Sequence, residues 1–173
     1  MFIAFAIVVS LIPSQGDSAL QRLIDRGRHP SIRWERFSDV QGEARSLYQQ
    51  NGWAPLWLSG GRPTPPARAL LGSLETAGDA GLDPEDYDAT QLNALATTLA
   101  RGGADETQAL RFDAALTIGA LRFVSALARG RVDPAAAHAT FSIDRGPLDP
   151  AATVDQLRRS TRPELVLRSI EPP

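Results

Sequence analysis

The longest helical pattern in the chain lies between residues 105 and 129, and it limits what the other residues can fold into. Leu110, Ala114, Ile118 and Leu121 recur at the three- and four-residue spacing of one helix face. Nearly every other apolar run is shorter and is interrupted by Gly or Pro. We therefore expect this segment to be the central helix of the core.

Further helices are predicted from local start signals. A capping Thr or Asp is followed by Pro at Thr64-Pro65, Asp83-Pro84, Asp133-Pro134 and Asp149-Pro150. Ser38 and Gln41 form a capping-box pattern before another apolar stripe. No strand-rich region competes. The predicted fold is all-α: a compact bundle of about six to eight short helices around one long central helix, with a hydrophobic N-terminal segment.

The amino-acid composition excludes several classes of catalytic and binding site. A chain of 173 residues with 43% apolar and 22% charged residues is of the size and composition of one globular domain. It has no cysteine, which excludes disulfides, a thiolate nucleophile, Cys-ligated zinc and iron-sulfur clusters. Its 18 basic residues are all Arg, scattered along the chain and balanced by acids, so we predict no nucleic-acid partner.

The N-terminus is strongly apolar. Residues 1–16 are predicted to be a hydrophobic membrane anchor or a signal segment, and both alternatives stay open, with a buried core segment as the weakest. Both leading alternatives place the rest of the chain on the periplasmic side of a bacterial membrane, associated with it. The residues expected to contact membrane lipid are Phe2, Ile3, Phe5, Ile7, Val8, Leu11 and Ile12.

Three phrases occur in a characteristic order after the predicted anchor: LYQQNGWAPLWLSGGRPTPPARALLGSL, AGLDPEDYD and ALRFVSALARGRVDP. Together they resemble the accessory scaffold domain of large periplasmic murein L,D-transpeptidases, over roughly residues 40 to 170. We accordingly divide the chain into the N-terminal segment, a short helix and linker at 17–37, and a helical scaffold-like domain at 38–173. The transpeptidase catalytic domain, with its His and nucleophilic Cys, has no counterpart here. The resemblance thus implies a non-catalytic envelope domain and carries over no catalytic residue.

The tryptophans are the candidate contact residues. Trp34 and Trp53 have polar flanks and are predicted as a partner interface, although both could instead pack on the core. Trp57 is predicted to staple its turn to the core.

Other chemistry-bearing residues favour structural explanations. The acids Asp83, Glu85, Asp86 and Asp88 lack the spacing of a calcium loop, and a helix start explains them more simply. His29 and His138 have no catalytic context and are expected to be exposed. We predict no catalytic residue, no metal and no cofactor.

The sequence favours a structural or accessory subunit that is fastened to a membrane protein complex. The alternative is an N-terminal scaffold part, or a helper, of an L,D-transpeptidase in peptidoglycan cross-linking, with peptidoglycan-associated proteins as partners.

Overall fold

The computed structural model describes residues 15–129 and 148–170. Within them the fold is all-α, as predicted, with seven α-helices and one short hairpin. The elements are α1 Gln15–Asp25, α2 Gln41–Gln50, β1 Leu58–Ser59, β2 Arg62–Pro63, α3 Pro65–Glu75, α4 Ala89–Ala100, α5 Glu106–Arg129, α6 Pro150–Arg159 and α7 Pro163–Ile170, with 3-10 turns at Ala77–Ala80 and Pro84–Tyr87. The predicted lipid-contact residues 2–12, the Asp133-Pro134 helix start and His138 lie outside the described residues.

The long helix α5 is the centre of the fold, which confirms the expectation from its pattern. It contacts all six other helices. Residues 112–121 are buried without interruption, so the middle of α5 is enclosed on every face. Among the described residues, none of the helices has both the length and the apolar character that a membrane crossing requires.

The three Thr/Asp-Pro signals that lie within the described residues each begin a helix or a 3-10 turn. Thr64 accepts a hydrogen bond from the Ala67 amide at 3.3 Å, and Asp149 accepts one from the Ala152 amide at 3.0 Å. Asp83 accepts from the amide two residues later, at the start of a 3-10 turn. Each side chain satisfies an amide that the helix itself leaves without a partner.

The capping box predicted at Ser38 and Gln41 is wrong. Helix α2 begins later, after Val40, and no side chain caps its first turn. The Gln41 Nε2 instead donates to the carbonyls of Ile24 and Asp25, at 2.8 and 3.2 Å. The amide therefore satisfies carbonyls near the end of α1 and ties α1 to α2.

The segment between α1 and α2, predicted as a linker, is a closed loop held on the core. The His29 amide donates to the Glu35 carbonyl at 2.7 Å, and the Phe37 amide donates to the Gly27 carbonyl at 3.2 Å. Ile32 is 6% exposed, and Phe37 is fully buried. We call residues 28–37 the N-terminal loop.

Candidate functional site

Trp34 lies at the tip of the N-terminal loop with 53% of its surface exposed. Leu165 is the other large apolar residue with such exposure in the described part of the chain. The loop is held in place, because Ile32 and Phe37, which precede and follow Trp34 in sequence, are buried. An exposed aromatic ring on an anchored loop is available to a partner at a small entropic cost.

Arg33 fixes the same loop to the acidic turn that precedes α4. Its amide donates to the Asp88 Oδ1 at 2.7 Å. Its guanidinium lies 3.4 Å from Asp86 and 3.7 Å from Asp83, and 5.5 Å from the centre of the Trp34 ring. The acids in this turn therefore hold the loop in place, which fits a structural role for them.

The remaining acid of this turn has a partner as well. Glu85 accepts a hydrogen bond from the Thr90 hydroxyl at 2.5 Å. Burial raises the pKa of Asp88, while the amide of Arg33 acts in the opposite direction. In residues 15–129 and 148–170, no group of three or more His, Asp or Glu side chains is placed to hold a metal ion.

An ion pair from α5 supports the other side of the loop. Arg122 Nε and Nη2 each lie 2.9 Å from an oxygen of Asp39, and Nη2 also donates to the Arg36 carbonyl at 2.9 Å. The hydrogen bonds from Arg122 lower the pKa of Asp39. An open depression of about 430 Å³ lies beside this pair. It is lined by Trp34, Asp39, Asp86, Tyr87, Arg122 and Ala126.

Trp53 has a different environment from Trp34. It is half-buried against the core, and its ring stacks on Tyr48 with 6.3 Å between centroids and 4° between planes. It adopts a left-handed conformation with φ of 62°. Trp53 does not line the depression beside Trp34. Of the two candidate contact residues, Trp34 presents the larger free surface.

A buried polar cluster connects α5 to α2 and to the turn before the hairpin. Asp113 accepts hydrogen bonds from the Tyr48 hydroxyl at 2.7 Å and from the amides of Leu56 and Trp57 at 3.0 and 2.7 Å. Thr117 accepts from the Trp57 indole at 2.9 Å and lies 2.9 Å from the Tyr48 hydroxyl. We call these five residues the Asp113 cluster.

The Asp113 cluster is closed to solvent. Asp113, Thr117, Tyr48 and Trp57 are each 0% exposed, which confirms that Trp57 staples its turn to the core. Burial raises the pKa of Asp113 to about 6, although its three donors act against this, and burial also raises the pKa of Tyr48. A raised carboxyl pKa is common at active sites, but here no substrate can reach the group. The cluster therefore positions the turn rather than performing chemistry.

Sequence reasoning missed the Asp113 cluster. Two signals were present: Asp113 and Thr117 are polar residues four positions apart in an otherwise apolar stretch of helix. Their partners lie 56 to 69 positions earlier in the chain, where no local pattern points to them.

His29 was expected to be exposed, and this expectation is wrong. It is 1% exposed, with Nε2 3.0 Å from the Arg111 carbonyl and Nδ1 3.2 Å from the Ser31 amide. Because a carbonyl only accepts and an amide only donates, the proton is on Nε2. Burial lowers the pKa of His29, and the ring serves to fasten the N-terminal loop to α5.

The described residues form a helical domain around one central helix, in which Asp113, His29 and Arg33 hold loops in place. The model of the Scaffold domain family matches residues 42–173, and the chain belongs to this family. The match confirms the resemblance found in the sequence and is consistent with the scaffold domain of L,D-transpeptidases. No curated protein and no solved structure matches the chain. Family membership supports an accessory, non-catalytic role.

Proposed function

We propose that the chain is a membrane-anchored structural subunit that packs its helical domain on the extracytoplasmic face of a larger membrane complex. The complex is a respiratory, photosynthetic or secretion assembly. The apolar residues 2–12 supply the attachment to the membrane, and the helical domain supplies the contact with protein.

The observation that carries this proposal is the exposed Trp34 on its anchored loop. Tryptophan and arginine are both enriched among the residues that dominate protein interfaces, and such residues cluster at well-packed pockets. Trp34 has both neighbours, the depression of about 430 Å³ and the Arg33 guanidinium. The ring is therefore presented to a partner before binding, which lowers the entropy lost on association.

The second candidate is a helper of an L,D-transpeptidase in peptidoglycan cross-linking. The match of residues 42–173 to the Scaffold domain family favours it, because the sequence resembles the scaffold domain of those enzymes. The two candidates differ in the partner, which is a membrane complex in the first and a cell-wall enzyme in the second.

The test is mass spectrometry of the endogenous protein, purified gently from detergent-solubilised membranes with whatever accompanies it. We expect one assembly of fixed stoichiometry that contains membrane proteins. The Trp34→Ala variant should bind the associated subunits at least about tenfold more weakly. Truncation of an interface hot spot commonly costs more than about 1.4 kcal/mol, which corresponds to that factor in affinity.

Leu165→Ala is the matched control, since Leu165 is also a large apolar side chain with 50% of its surface exposed. It should leave the assembly intact, and both variants should melt at the wild-type temperature. A chain recovered alone in the soluble fraction would sink the proposal. Recovery with enzymes that cross-link peptidoglycan would establish the second candidate instead.

A further inference from the structure

A second cavity, of about 340 Å³, lies where α1 meets the first turns of α5 and the start of the N-terminal loop. Four of its nine lining residues are arginines, and none is an acid. The arginines are Arg22, Arg26, Arg28 and Arg111. A cavity lined in this way favours a ligand with negative charge.

The arrangement is not explained by helix electrostatics alone. Arg22 and Arg26 are near the end of α1, where the helix dipole favours a cation. They are, however, only four residues apart, with the Arg26 amide bonded to the Arg22 carbonyl just past the end of α1, and like charges at this spacing repel. Arg111 lies near the beginning of α5, where the dipole gives a cation no stabilisation.

Ion pairing does not explain the cluster either. Arg28 is paired with Glu35 at 2.6 Å, but Arg22, Arg26 and Arg111 make no ion pair with any residue that the structure describes. Asp25, which lies between Arg22 and Arg26 in sequence, is paired at 3.0 Å with Arg45 on α2 and is directed to that helix.

The cavity has a fixed wall. Arg28 and Pro30, which both line it, flank His29, and the His29 ring bonds to the Arg111 carbonyl. This hydrogen bond joins the loop side of the cavity to its α5 side. The Arg28 and Arg111 backbones are thus positioned before any ligand arrives, which is a common property of binding sites.

We propose that this cavity binds the phosphate group of an anionic membrane lipid. Guanidinium groups match phosphate oxygens with two parallel hydrogen bonds, and three of them are without an acidic partner. Arg22 follows the apolar residues 2–12 by ten positions, so a chain held at the membrane by that segment carries the cavity close to the lipid headgroups. This inference rests on the proposed membrane attachment.

The test uses the full chain and measures its partition onto vesicles of phosphatidylcholine alone and of phosphatidylcholine mixed with phosphatidylglycerol. Each arginine near an anionic surface contributes about fivefold in binding. The Arg22→Gln/Arg26→Gln variant should therefore bind the anionic vesicles about 25-fold more weakly than wild type. Its binding to phosphatidylcholine alone should not change.

The matched control is Arg62→Gln/Arg101→Gln, which removes the same charge from exposed arginines outside the cavity. An equal loss in the control would mean diffuse surface charge and would overturn the proposal. Inorganic phosphate that binds to the free chain, while the wild type shows no preference for anionic vesicles, would identify a soluble phosphate as the ligand instead, which also overturns the proposal.

The two levels of the proposal fail separately. Binding to phosphatidylcholine alone measures the attachment by residues 2–12. If that binding is absent, the proposed attachment is wrong. The difference in binding between anionic and neutral vesicles still measures the contribution of the cavity arginines. If it is present and the arginine variant behaves as wild type, the lipid-phosphate site alone is wrong.

Discussion

Polar side chains of the central helix α5 hold two loops in place. The two contacts differ in how deeply they are buried. Asp113 and Thr117 hold the turn at Leu56 and Trp57 in the buried Asp113 cluster. Nine residues further along α5, or about 13 Å, Arg122 holds the end of the N-terminal loop near the surface, where the Arg122 side chain is 14% exposed and its partner Asp39 is 54% exposed. Among the described residues, no buried side-chain polar atom is left without a partner.

Burial, and not the number of hydrogen bonds, is expected to set the energetic importance of each contact. Each site has three hydrogen bonds to one charged group. A buried donor that loses its partner costs about 1–3 kcal/mol, whereas an exposed ion pair contributes about 0.2–1 kcal/mol. Water can replace a partner at the surface but cannot enter the Asp113 cluster.

The two sites also differ in their relation to the family. The Asp113 cluster lies wholly within the matched residues 42–173, whereas Arg36 and Asp39 precede them. The cluster therefore lies in the part of the chain that the family model covers, and the N-terminal loop precedes that part.

The largest effect is expected at Asp113. Asp113→Ala leaves two amides and the Tyr48 hydroxyl buried without their acceptor. We expect the free energy of unfolding to fall by about 3–5 kcal/mol, measured by urea denaturation at pH 7.

Glu35→Ala is the matched control for that substitution. It also removes a carboxylate, but one that pairs with Arg28 at the surface, where both side chains are more than half exposed. It should cost at most about 1 kcal/mol. Equal losses from the two substitutions would remove the distinction between buried and exposed contacts.

The next largest effect is a dependence on pH. The folded-state pKa of Asp113 is about 6, above the ordinary value of 3.8, so the folded state binds its proton more tightly than the unfolded chain does. The stability that this proton contributes is complete below about pH 3.8 and is lost as the pH rises through about 6. The expected loss is about 3 kcal/mol across this window.

The measurement is the difference in unfolding free energy between wild type and Asp113→Asn, taken from pH 4 to 7. Taking a difference removes the titrations of His29 and Asp39, whose lowered pKa values give the opposite slope. A difference that stays level would mean that the three donors hold the carboxylate ionised throughout, and that burial does not control this site.

The helices could be predicted from the sequence because their signals are local. The periodicity of α5 and the side chains of Thr64 and Asp149 act within a few residues of the positions they determine. Ser38 is not a cap because α2 begins after Val40. The Gln41 side chain bonds instead to the end of α1, which lies 16 to 17 residues away in sequence.

The candidate sites were predictable only in part, for the same reason. The exposed Trp34 and the buried Trp57 follow from residue type and flanking polarity, whereas the burial of His29 depends on a carbonyl 82 positions later. The cavity formed by Arg22, Arg26 and Arg111 likewise requires two distant helices to meet. A scattered distribution of Arg in sequence does not reveal a cluster in space.

The smallest expected effect lies at the exposed end of the comparison. A double-mutant cycle of Arg122→Ala and Asp39→Ala isolates the energy of their pair from the other contacts of each residue. We expect a coupling of about 1 kcal/mol or less, falling further when salt is added, since Asp39 is 54% exposed. A coupling of about 3 kcal/mol that does not respond to salt would place this pair with the Asp113 cluster and make the N-terminal loop part of the rigid core.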